Sequence, residues 1–195
     1  MMAHILNLRS SVSGDASSTR AVAQVLLDKL QAQGHSGLTV RDLATQPIPH
    51  ISGETVAGMF GGPECEGTKL SDTLVDEIMQ ADIWVIEAPM YNLGIPSSVK
   101  AWVDHIVRAG KTFAFTEEGA KGLIPAGKIV YVVSARGGVY EGTPAASVDF
   151  VSSYLQGILS WLGVTDIRFL LVEGTHAIGV EAARAKAIES LSRWV

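Results

Sequence analysis

Five short apolar runs, each separated from the next by a segment of helical periodicity, constrain this 195-residue chain more than any other feature. The runs are His4–Leu8, Leu38–Leu43, Ile83–Glu87, Ile129–Ser134 and Ile167–Val172. The last three are near-continuous in Val, Ile, Leu, Phe and Trp, as parallel strands covered on both faces must be. The second contains Arg41 and Asp42 and reads as an edge strand. Between the runs lie apolar stripes at helical spacing: Ala21, Val22, Val25, Leu26, Leu30; then Leu70, Leu74, Val75, Ile78; then Val99, Trp102, Val103, Ile106; then Val151, Tyr154, Leu155, Ile158, Leu159, Leu162. A fifth, Ala-rich segment runs from Ile178 to Trp194. Strand and helix alternating five times is the pattern of an open, doubly wound α/β sheet. Two stretches interrupt it and read as irregular, Ala44–Gly67 and Lys111–Lys128. The second alternates Thr112-Phe113-Ala114-Phe115 and then reaches Glu118-Gly119, so it predicts a hairpin excursion before strand four.

Composition narrows the class. At this length one domain, residues 1–195, is expected, with a core that buries roughly 70% of the unfolded surface. The charged fraction is 18% and the hydrophobic fraction 47%, which fits a globular chain. A net charge of −5 argues against nucleic acid as the main partner. Cys65 is the only cysteine, which excludes an internal disulfide framework and a multi-cysteine metal site, and fits a reducing, cytoplasmic setting. Its neighbours Glu64 and Glu66 are expected to raise its pKa. Arg9 interrupts the first apolar run, so no signal peptide is expected, and no stretch of 18 apolar residues suggests a membrane span.

In an open α/β sheet, ligands bind beyond the carboxyl ends of the strands, so the loops there carry the functional reading. Strand one is followed by Arg9-Ser10-Ser11-Val12-Ser13-Gly14-Asp15-Ala16-Ser17-Ser18-Thr19, with six hydroxyls at the start of a helix. One serine would serve as a cap. Six, beside the free N–H groups of a helix start, suit a phosphate. Strand three is followed by Ala88-Pro89-Met90-Tyr91-Asn92-Leu93-Gly94-Ile95-Pro96, an irregular backbone able to present N–H and C=O groups to a flat heterocycle. Strand four is followed by Ala135-Arg136-Gly137-Gly138, where glycines permit close backbone approach. In the order 2-1-3-4-5 these three strands are neighbours at the switch point, the flavodoxin-like arrangement, with FMN at that place.

Other motifs fail on spacing. Gly122 to Lys128 imitates a Walker A loop, but Ile129 follows it and the segment precedes a strand. No G-x-G-x-x-G and no G-x-S-x-G occur. The five histidines show no metal-binding spacing, and no metal is expected.

Taken together, Arg9-Ser10-Ser11 with Ser17-Ser18-Thr19, Ala88-Pro89-Met90-Tyr91-Asn92, Arg108-Ala109-Gly110-x-Thr112-Phe113, Ala135-Arg136-Gly137-Gly138 and Gly163-Val164-Thr165-Asp166 resemble the FMN-dependent NADH:quinone oxidoreductases known as azoreductases. The resemblance runs nearly end to end. It implies that Ser11, Ser17, Ser18 and Thr19 hold the FMN phosphate. It further implies that Met90, Tyr91, Asn92 and Leu93 border the isoalloxazine and that Ala135, Arg136, Gly137 and Gly138 meet its polar edge. It implies a homodimer and ping-pong two-electron transfer through bound FMN, from NADH or NADPH to flat quinones and azo compounds. Phe60, Phe113, Phe115, Tyr140 and Trp161 are the expected substrate face. Leu93, Phe115 and Tyr140 depart from common family choices (Phe, a hydroxyl-bearing aromatic and His), which bears on substrate range. No acid–base residue stands out, so the chemistry is expected at the flavin. Two alternatives are a flavodoxin-like electron carrier and an FMN reductase that releases its flavin.

Overall fold

A computed structural model describes residues 2–195. Its main sheet has five parallel strands: β1 (His4–Arg9), β2 (Gly37–Asp42), β3 (Ile83–Glu87), β6 (Ile129–Ala135) and β7 (Asp166–Val172), in the order β2-β1-β3-β6-β7. That is the order expected from the sequence, each strand bound differing from the reading by one residue at most. The predicted excursion is a separate antiparallel hairpin, β4 (Phe113–Thr116) and β5 (Gly119–Gly122). The helices are α1 (Ser18–Ala32), α2 (Gly53–Met59), α3 (Glu66–Gln80), α4 (Ser97–Ile106), α5 (Phe150–Trp161) and α6 (Val180–Ser190).

The pleat explains the continuous apolar runs. Successive side chains of a strand point to opposite faces. Leu6, Leu8, Trp84, Ile86, Val130 and Val132 meet α3, α4 and α5 on one face. Ile5, Ile83, Val85, Tyr131, Val133 and Leu170 meet α1 and α6 on the other. Both faces are covered by helices, so the central strands do not alternate with polar residues, and the few polar side chains among them, such as Asn7 and Glu87, bond to each other. β2 lies at the sheet edge, which is why it tolerates Arg41 and Asp42.

The Ala44–Gly67 stretch contains a helix, contrary to its reading as irregular. Ser52 caps α2 by accepting from the Thr55 N–H at 3.1 Å. Gly53-Glu54-Thr55-Val56-Ala57-Gly58-Met59 carries two glycines and no apolar stripe, so helical periodicity has nothing to register. Its packing requires small residues: a Cβ on Gly67 would lie 2.0 Å from Thr55 Oγ1. The Walker-like string has a plain role. Lys128 is buried and donates to the carbonyls of Met79 and Ala81 at 2.8 and 2.7 Å, closing the C-terminal end of α3. The hairpin docks on the C-terminal end of α5, where a Cβ on Gly122 would strike the Leu162 backbone at 2.2 Å. Among the described residues no helix is long and apolar enough to cross a membrane.

Candidate functional site

Hydrogen bonds between loops assemble one cleft beyond the carboxyl ends of β1, β3 and β6. Met90 N–H donates to Ala135 O at 2.9 Å, joining the loops after β3 and β6. Val12 N–H donates to Tyr91 Oη at 3.2 Å, joining those after β1 and β3. The cleft has a volume of about 360 Å³, within the usual range for small-molecule sites.

Its serine wall is the start of α1. Ser17 is the N-cap, its Oγ accepting from Arg20 N–H at 3.2 Å and lying 2.9 Å from Thr19 Oγ1. The first-turn N–H groups of a helix have no intrahelical acceptor. Ser17 takes that of Arg20, which leaves those of Ser18 and Thr19 for a ligand. Ser11, Ser13, Ser17, Ser18 and Thr19 all line the cleft. Ser10 does not: its hydroxyl is buried and donates to Glu87 O.

The second wall is a strained turn. Asn92 and Leu93 have φ of 50° and 69°, and Tyr91 and Gly94 exchange two hydrogen bonds of 3.0 Å across them. Two residues with positive φ inside a closed four-residue turn define type I′. Leucine pays about 1–2 kcal/mol for this conformation. Such strain persists where surrounding structure over-determines it, and Leu93 O accepts from Phe150 N–H at the start of α5. Met90 and Tyr91 line the cleft, together with Pro89.

The third wall is Ala135, Arg136 and Gly137. The Arg136 side chain is wholly buried, with its guanidinium turned to Asp149 and, at 3.6 Å, to Glu173. Tyr140 lies against that guanidinium, ring centroid 5.6 Å from Cζ. Glu173 in turn accepts from Tyr140 N–H at 3.0 Å. Arg136 therefore offers its backbone to the cleft while its charge ties the loop to α5 and to the loop after β7. Asp149 sits below its ordinary carboxylate pKa: burial opposes this, but bonds from Ser152 and the Arg136 charge outweigh it.

Three contributors escaped the sequence reading. Thr175, His176 and Val180, beyond β7, also line the cleft. The glycine at 137 serves His176, since a Cβ there would lie 2.7 Å from His176 Nδ1. Arg184 of α6 donates to Ser18 Oγ at 3.2 Å and Ala16 O at 2.8 Å, bracing the serine loop from 166 residues away. No local pattern marks these residues: Thr175 and His176 are brought in by the bonds of their loop to Arg136 O and Gly137 O, and Arg184 by the packing of α6 beside α1.

The expected substrate-face aromatics stand apart from this cleft. Phe113 is buried in the core and packs on Phe115 and Trp161, with centroids at 5.3 and 4.7 Å. Phe60 is exposed at the end of α2, and Tyr140 lies beside Gly138. Cys65 differs from expectation in sign. Its thiol is held below its ordinary pKa by hydrogen bonds from the Thr68 hydroxyl and backbone, which outweigh a small opposing effect of desolvation. Cys65 N–H donates to Thr68 Oγ1 at 2.8 Å, so the residue begins α3. Among the described residues no acidic, His and Cys group could hold a metal ion.

A phosphate-ready helix start facing a flat-ligand wall, at the switch point of a 2-1-3-4-5 sheet, defines a flavodoxin-type flavoprotein. Residues 3–195 match the flavodoxin-like fold family. The FMN-dependent NADH:quinone oxidoreductase of Herminiimonas arsenicoxydans is 42% identical over 200 residues, covering 98% of each chain. That of Ralstonia nicotianae is 41% identical, covering 95% of this chain and 92% of its own. The crystal structure of an azoreductase from Bacillus anthracis superposes with a TM-score of 0.88 at 25% identity, covering 98% of both chains. The chain belongs to the FMN-dependent NADH:quinone oxidoreductase family.

Proposed function

We propose that FMN lies across this cleft and that the chain uses it to pass electrons from NADH to quinones and azo compounds. The observation that carries the placement is the convergence of three loops on one cleft, with a helix start supplying unpaired N–H groups. Ser11 and the N–H groups of Ser18 and Thr19 receive the phosphate, helped by the helix dipole. Each hydrogen bond to that charge contributes about 1.5–3 kcal/mol. The Met90–Leu93 turn and the Ala135–Gly138 backbone border the ring, Asn92 and Gly138 completing the two walls. Bound FMN supplies the two-electron chemistry, while the protein supplies orientation and field. NADPH is the second donor to be tried.

The complete site includes a second copy of the chain, in a homodimer. Phe115 is 76% exposed, and beside it lies a shallow apolar face of Tyr154, Gly157, Ile158 and Trp161. Apolar surface of this kind supports a partner, and the partner would bring Phe60, Phe115 or Trp161 toward a flat acceptor. A single domain with one free cysteine fits the reducing cytoplasm.

The test is anaerobic mixing of the FMN-loaded protein with NADH or NADPH, followed at the flavin band. Full bleaching with one of them, and return of colour on adding a benzoquinone, is expected. Failure of both donors, with reduction by dithionite in one-electron steps, would leave an electron carrier instead.

A further inference from the structure

Glu87 is a buried acid for which electron transfer at the cleft has no use. It ends β3, on the face toward α1, and its side chain is 1% exposed. One carboxylate oxygen, Oε1, accepts from Asn7 Nδ2 at 3.0 Å and lies 3.6 Å from Arg9 Nε. The other, Oε2, has no partner. A buried carboxylate oxygen without a donor is costly when charged. The surrounding charges offer limited relief. From β1, Arg9 directs its Nε to Asn7 Oδ1 at 2.9 Å. From α1, Arg20 is engaged by Asp42 at the end of β2, at 3.1 Å, and by Asp15 at 3.7 Å. No charged group approaches from β6, whose residue opposite is Val133. Burial accordingly pushes Glu87 above the ordinary carboxylate range, against the pull of Asn7, Arg9 and Arg20.

The position matters because Glu87 is continuous with the cleft. Its carbonyl holds the Ser10 hydroxyl, the next residue is the cleft-lining Ser11, and Ala88-Pro89 leads straight into the ring wall. The carboxyl itself lies beside Asn7 and Arg9 and within the field of Arg20, the residue whose N–H is held by the cap Ser17 of the phosphate loop. We propose that Glu87 sets the preference of this site for phosphorylated over unphosphorylated flavin: protonated, it accepts a phosphate in front of it, and ionised, it repels one. The proposal rests on the phosphate placement given above. Loading with FMN then draws a proton from solvent onto the Glu87 carboxyl wherever the empty protein holds it ionised.

Two titrations test this, with FMN and with riboflavin, on the flavin-stripped full chain between pH 5.5 and 8.5. Wild type is compared with Glu87→Gln. The comparison cancels the second ionisation of the FMN phosphate itself, near pH 6. The ratio of FMN affinities, wild type over E87Q, is expected to fall on the order of tenfold across this range, as one pKa unit of coupling requires. The same ratio for riboflavin should stay flat. Superimposable FMN profiles for the two proteins would overturn the proposal. So would a riboflavin ratio that falls equally, since Glu87 would then act on the fold or the ring. FMN binding no tighter than riboflavin at any pH would instead overturn the phosphate placement, and the proposal with it. If E87Q does not fold, the carboxyl carbon of Glu87 in the wild type is followed by NMR. Its titration should move to higher pH on adding FMN, and an unmoved titration would overturn the proposal.

Discussion

Ser17→Asp separates the phosphate site from the fold that carries it. Ser17 caps α1 through its Oγ, and aspartate caps a helix as well as serine does. A carboxylate at this end is also favoured by the helix dipole, by about 0.3–1 kcal/mol. The flavin-free variant should therefore melt at the wild-type temperature or slightly above. Binding responds in the opposite direction. Two like charges about 4 Å apart cost on the order of 4 kcal/mol at an effective dielectric near 20. At roughly 1.4 kcal/mol per factor of ten, that is close to a thousandfold loss in FMN affinity. The assay is flavin fluorescence quenching on titration, with a thermal melt of the same sample. Riboflavin, lacking the phosphate, should bind the variant and the wild type alike. A folded Ser17→Asp protein whose FMN affinity stays within tenfold of wild type would place the phosphate elsewhere.

Arg136→Met should cost about 3–5 kcal/mol in chemical denaturation, because it strands Asp149 and Glu173 without their buried cation. The stability that Asp149 contributes is present above its unfolded pKa, near 3.9, and should be lost as pH falls through its lower folded value. Gly137→Ala should weaken FMN binding by displacing His176, and the double variant with His176→Ala should recover most of that loss; equal losses in single and double variants would separate the two residues. The homodimer proposed above should bury more than about 2,000 Å². Light scattering should report two copies at micromolar protein, and Trp161→Glu should shift it toward one.

How much of this was legible beforehand follows from the range over which each signal acts. Strand β3 was readable to the residue because a strand covered on both faces is apolar at nearly every position, here Ile83 to Ile86, with the buried Glu87 closing it. The cleft's three principal loops were readable because each directly follows a strand, and strand order then fixes which loops are neighbours. Helix α2 was not, since seven residues with two glycines carry no period. Arg136 lines the cleft, but its partners Asp149 and Glu173 are 13 and 37 positions away, and only the packed loops turn its charge inward. Phe113 read as a wall for substrate, but the docking of the hairpin on α5 puts it in the core. Arg184 reaches the site through the packing of α6 beside α1, a contact between the two ends of the chain, and His176 through the bonding of the loop after β7 to the loop after β6. The sequence alone therefore determined the layers, the strand order and the principal loops around the cleft, because these depend on local periodicity and on what directly follows each strand. The direction of each side chain at the site, and whether Glu87 bears a charge, depended on partners far along the chain, and these only the tertiary structure brings within reach.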